Sequence, residues 1–131
     1  MDAGQTLADD PTIPDSELLN RRIPWPCIHD GDKIASIAFT NRDDSDPHVS
    51  VDLSSLSTPE QTLARWPAAA GVAQVPVIAV RQVTPGVVRD PLEDNPAHAL
   101  IIGRPGLSRH KWKEIARKFA KACVWAIAPK S

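Results

Sequence analysis

An α+β fold is predicted by three features of this chain. Thirteen prolines in 131 residues cut it into short elements. Short stretches of strand character recur through the first four-fifths of the sequence. Only one segment, Ser108 to Ile127, keeps a helical apolar period over a long distance. Strands, a short helix, more strands and a closing helix make a small, mostly antiparallel or mixed sheet of about five strands. A long C-terminal amphipathic helix and the short helix would cover one side of it.

Residues 1–14 are polar and acidic, with Asp2, Asp9 and Asp10, and read as a flexible or loosely docked arm. Residues 15–131 then form a single domain, long enough for one core without metal or disulfide staples. Asp15–Asn20 could make one or two helical turns capped by Asp15 or Ser16, with Pro24 just beyond. Ile23-Pro24-Trp25-Pro26 must be extended. Lys33–Thr40 reads as a strand after an Asp30-Gly31-Asp32 turn. Asn41–Pro47 is a polar turn. His48–Leu53 alternates strictly, with Val49, Val51 and Leu53 on one face and His48, Ser50 and Asp52 on the other. The simplest pairing for it is antiparallel, with the strand before.

Thr58-Pro59-Glu60-Gln61 is a strong helix start: a cap, a proline at the first helical position and a capping box. That helix stops before Pro67. Ala68–Ala73 suits a tight loop or a helical turn. Val75–Val83 reads as a strand with Pro76 near its start, and Val87-Val88 as a short one after the Pro85-Gly86 turn. His98–Gly103 is nearly continuously apolar and reads as a central strand. In the Ser108–Ile127 helix, Trp112, Ile115, Ala116, Phe119, Ala122, Cys123 and Ala126 form one stripe that can cover a sheet. Its length would be roughly 27 to 30 Å.

Composition narrows the function classes. Hydrophobic content of 42%, charged content of 24% and a formal net charge of -1 are those of an ordinary globular protein. The N-terminus has no basic and apolar leader pattern, and no run approaches ~18 apolar residues; a cytoplasmic protein without a membrane span is the expectation. Cys27 and Cys123 form no Cys-x-x-Cys pair, and His29, His48, His98 and His110 are scattered, so no metal or cofactor site is indicated. No Gly-x-Gly-x-x-Gly or phosphate-cradling loop occurs.

Four candidate sites emerge. His98 joins the acidic loop Asp90–Asn95 to an apolar strand. A neighbouring carboxylate would fix its tautomer, as in a general base or in a histidine that pins two loops together. The polar face His48, Ser50, Asp52 could hold an acid/base group or could simply face solvent. Ser50 lacks a nucleophile-elbow context. The third candidate is basic: Arg109, Lys111, Lys113, Arg117, Lys118 and Lys121 share one helix with only Glu114 as counterweight. Lys113, Arg117 and Lys121 lie at i, i+4 and i+8, opposite the Trp112–Phe119 stripe. Such a row can meet successive phosphates, or can be a solvated face. Gly103-Arg104-Pro105-Gly106 could hold an anion at the helix start or be a plain turn.

Ser50-Val51-Asp52, Gly71-Val72-Ala73, Asp90-Pro91 and Asn95-Pro96-Ala97-His98-Ala99 together resemble a family of small bacterial proteins with no established activity. The likeness spans roughly residues 21 to 127. It implies a bacterial single-domain protein and transfers no catalytic residue. A more distant likeness to ADP-ribosyl-transfer and RNase toxin domains lacks their Arg…Ser…Glu series.

Two functions follow. One is a non-enzymatic accessory or interaction domain whose basic helix meets nucleic acid or an acidic protein surface, as in a defence or mobile-element complex. The other is a small nuclease or nucleotide-modifying enzyme. There His98 and His48 would be acid/base groups, and Arg81 or Arg104 would stabilise negative charge.

Overall fold

The computed structural model describes residues 7–40, 47–104 and 107–130. The tip of the acidic arm, nearly all of the Asn41–Pro47 turn, and Pro105-Gly106 lie outside them.

Strand β1 (Leu18–Pro24) occupies the stretch where capping residues suggested a helix. Leu19 and Ile23 alternate into the core while Asn20 and Arg22 face the other way. A seven-residue antiparallel ladder with β5 (Ala69–Pro76) fixes that alternation, so pairing overrides the local helix signal. Lys33–Thr40 is not one strand. Ile28–His29 (β2) and Lys33–Ile34 (β3) form a small separate hairpin, and Ser36–Phe39 is a 3-10 turn that buries Ala38 and Phe39. β4 (Val49–Leu53) pairs with β1 and with β7 (His98–Ile101), not with the segment before it.

Helix α1 (Pro59–Arg65) starts as expected. Thr58 Oγ1 accepts from the Gln61 amide, and the Thr58 amide donates to Gln61 Oε1. The run after Pro76 is a second departure: it turns into helix α2 (Val77–Arg81). Its β-branched residues favour a strand, but a helical turn lets Val77 and Val80 both enter the core. β6 (Val87–Arg89) pairs with β7.

The long helix is the largest correction. α3 spans Arg109–Ala122, and Cys123 is extended at φ -79°, ψ 157°. Val124–Ile127 is a strand, β8, lying along β5. The apolar stripe is therefore split. Trp112, Ile115, Ala116 and Phe119 cover the sheet, while Val-Trp-Ala-Ile, rich in strand formers, joins it. Gly71 makes room for this, since a Cβ there would lie 2.2 Å from the Ile127 carbonyl oxygen.

The sheet has six strands in the order β6-β7-β4-β1-β5-β8, and every pair is antiparallel. β7 is thus next to an edge, not central. α2, α3 and the 3-10 turn pack on the face bearing Leu19, Val51, Val75 and Ala99. α1 packs on the opposite face, over Asn20 and Asp52, so helices lie on both sides.

The acidic arm is docked from its middle onward. Ile13 is fully buried in the core. Arg81 bonds Asp9 Oδ1 at 3.1 Å, Asp15 Oδ1 at 2.8 Å and the Asp10 carbonyl at 2.9 Å. These three acceptors hold the segment across α2.

Candidate functional site

The groups proposed for catalysis do not converge. His98 donates through Nδ1 to the Asp90 carbonyl at 2.9 Å, with the Asp90 carboxylate 3.1 Å away. That bond ties the start of β7 to the end of β6, the loop-pinning role. His48 Nδ1 accepts from the Gly103 amide at 3.1 Å. The β4–β7 register sets His98 opposite Asp52 and Val49 opposite Ile101. The two histidines therefore sit at opposite ends of the pair, four residues or roughly 13 Å apart along the strands. Arg81 is engaged by the N-terminal segment. Arg104 is exposed. Among the described residues no group of three His, Cys, Asp or Glu is placed to hold a metal.

The polar face of β4 does not simply face solvent. Asp52 is only 5% exposed. Its Oδ2 accepts from Thr62 Oγ1 at 2.8 Å and from Arg65 at 3.0 Å, and its Oδ1 accepts from Asn95 Nδ2 at 2.8 Å. Asn20 bonds Ser57 and Gln74 beside it, and Arg65 also reaches Ser57 Oγ. The network joins α1, the acidic loop and three strands. Among the described residues no buried side-chain polar atom lacks a partner, so the buried groups of the network are answered within the protein. Sequence reading singled out Asp52, and Asn95 as a turn residue bonding nearby backbone, as it does to the Ala97 amide, but missed Asn20, Thr62 and the Asn95–Asp52 bond, which join other elements. Next to it, exposed Trp66 carries the Arg22 guanidinium 3.6 Å from its ring centroid.

The basic helix gives a different picture. Arg109, Lys111, Lys113, Arg117, Lys118 and Lys121 are all exposed. Three of them, the predicted row Lys113, Arg117 and Lys121, line a groove against His29, Ile34 and Ser36 of the β2–β3 region, about 340 Å³ in volume. It continues into a second lobe of about 490 Å³ formed by Lys33, Ile34, Ala120, Lys121, Val124 and Trp125. His29, Ile34, Ala120 and Lys121 belong to both lobes. Lys111 and Lys118 stand outside it, as does Arg109. Glu114, the one acid of α3, is turned to His110 at 3.5 Å and does not neutralise the row. Lys113, Arg117 and Lys121 make no ion pair among the described residues. Across the groove, Lys33 faces Asp30 at 3.9 Å.

The groove floor is apolar and inert. Cys123 lies in it, and burial pushes its thiol up to about 11, far from a reactive thiolate. Cys27 and Cys123 are not joined in a disulfide. Trp125 is fixed by a bond from Nε1 to the Asp32 carbonyl at 2.8 Å. Trp112 is held likewise, from Nε1 to the Phe39 carbonyl at 3.0 Å.

Comparison with protein-family models, curated proteins and solved structures returns no match for this chain. Among the described residues no helix is long and apolar enough to cross a membrane.

Proposed function

We propose that this chain is a non-enzymatic interaction domain, and that the groove beside α3 docks an anionic macromolecule, a nucleic-acid backbone or an acidic protein surface. One observation carries the reading: Lys113, Arg117 and Lys121 form an unneutralised cationic wall along a continuous groove. Three like charges held along one helix face raise the local potential and attract a polyanion. Two other charged groups of the described residues are, by contrast, internally matched: Arg81 with Asp9 and Asp15, and Arg65 with Asp52.

The test is binding of fluorescein-labelled DNA and of a labelled polyglutamate peptide, followed by anisotropy over a salt series. For duplex DNA, replacing the three cations by glutamate should reduce the slope of log K against log salt by about 3. Binding with an unchanged salt slope in the triple variant would overturn the proposal.

A further inference from the structure

The two edges of the sheet are finished differently. On β6 the outward side of Val87 is sealed by the N-terminal segment. The Asp10 amide donates to the Val87 carbonyl at 2.8 Å, and the Val87 amide donates to Asp9 Oδ1 at 2.9 Å. Gly86 permits this approach: at φ +134° it lies so close to Asp9 that a Cβ would fall 2.2 Å from Oδ1. Among the described residues no backbone hydrogen bond is made on the outer side of β8.

An open edge is normally blunted by a charge, a proline or a bulge turned toward solvent. Val124-Trp125-Ala126-Ile127 contains neither charge nor proline, and Val124 is 64% exposed; its pairing with β5 is regular at Val124 and Trp125 and slips by one residue before Ile127, so the one irregularity falls at the far end of the strand. The strand is also rigidly placed, by the close approach of Gly71 to Ile127 and by the Trp125–Asp32 bond. A strand added there would find its template already ordered.

The surroundings select the occupant. The second lobe of the groove runs beside β8, with Ile34, Ala120 and Val124 as an apolar floor and Lys33, Lys121 and a single acid, Asp32, around them. Lys121 precedes Val124 by three residues and Lys130 follows Ile127 by three. A second copy of this chain, pairing β8 to β8 with Val124 opposite Ile127, would bring Lys121 of one copy toward Lys130 of the other. Like charges at both ends oppose that pairing. An acidic segment meets attraction at the same positions.

We infer that β8 is a strand-addition site, and that the partner is an extended polypeptide with alternating apolar residues and acidic flanks. It would extend the sheet along Val124–Ile127 and set its carboxylates against Lys121, Lys33 and Lys130. Main-chain bonds would supply affinity, and the groove and cations the choice of sequence. This deepens the anionic-partner reading and rests on it.

The experiment uses the full chain and two labelled peptides, Glu-Glu-Val-Thr-Val-Thr-Val-Glu-Glu and the same sequence with alternate central amides N-methylated. Anisotropy gives affinity, and amide exchange by NMR reports the outer N–H groups of β8. The unmodified peptide should bind at least about tenfold tighter than the methylated one and slow exchange of β8 amides. Equal binding of both peptides would overturn strand addition while leaving the electrostatic reading standing. Binding of DNA but not of either peptide would do the same. Loss of all anion binding would sink both. Protection of β8 amides without peptide, rising with protein concentration, would show self-pairing and would also overturn the inference.

Discussion

The Asp52 network and the α3 row are both clusters of charged and polar side chains, yet they have opposite characters. Around Asp52 every group is answered. The carboxylate takes bonds from Thr62, Arg65 and Asn95, and its neighbours Asn20, Ser57 and Gln74 are bonded in turn. Along α3 the charges of Lys113, Arg117 and Lys121 are exposed, and the one acid of the helix, Glu114, is turned to His110. Polar chemistry spent internally holds the fold; polar chemistry left unspent on a groove wall is available to a partner. The distinction rests on partners and burial, not on residue type.

The contrast has a direct consequence for stability. Asp52→Ala would leave Arg65, Thr62 and Asn95 facing a dry gap. Breaking a mostly buried pair is costly, and the 29% exposure of the Arg65 side chain tempers that loss. A destabilisation of about 3 kcal/mol is expected. For a domain of this size it should lower the melting temperature by about 10 °C. Urea unfolding of the variant checks it, and an unchanged midpoint would mean that the network is ornamental.

The groove wall formed by β8 depends on one glycine. Gly71→Ala puts a methyl against the Ile127 carbonyl and within 3.1 Å of the Trp125 ring. Overpacking of this kind costs about 2 kcal/mol, and backbone cannot yield as a flexible side chain would. Amide exchange should localise the damage to β8 and leave β4 and β7 protected. Uniform loss of protection would show that β8 is integral to the whole sheet and not a separable edge.

A smaller effect comes from Glu17, which ties the start of β1 to the Ser54-Ser55 turn after β4. Burial pushes its carboxyl up, but bonds from the Ser55 and Ser54 hydroxyls and the Leu18 and Ser55 amides outweigh that and hold it below the usual carboxylate range. A carboxylate depressed in the folded state stabilises fully above its unfolded value. That contribution is lost as pH falls below the ordinary glutamate value and through the lower folded one. Asp10, held low by Thr12, acts in the same direction. Glu17→Gln should therefore lose about 1 kcal/mol at neutral pH and show a shallower decline between pH 5 and 3. Urea midpoints across that range test the sign.

Some of this was legible in the sequence. The Thr58 capping box, the alternation of Val49–Leu53 and the Lys113–Arg117–Lys121 row are local patterns, and local physics fixed them. The failures share one cause. Leu18–Pro24, Val77–Arg81 and Val124–Ile127 each took the conformation that their neighbours in space required. A helical period continued through Cys123 because a one-sided stripe cannot tell a helix from a strand joining a sheet edge. The Asp52 network was invisible for the same reason: its members come from five different stretches of chain.

The least disturbing change should be reversal of the α3 row itself. Lys113, Arg117 and Lys121 are exposed and make no ion pair among the described residues, so their replacement by glutamate breaks no native ion pair. Acidic residues toward the end of a helix oppose its dipole slightly, but removing mutual repulsion within the row acts the other way. Urea unfolding of the triple variant should give a midpoint close to that of the native chain, while anion binding is lost. This separation of binding from stability is what distinguishes the row from the Asp52 network. If the triple variant unfolded as readily as Asp52→Ala, the row would be part of what holds α3 to the sheet, and the groove would lose its claim as a docking surface.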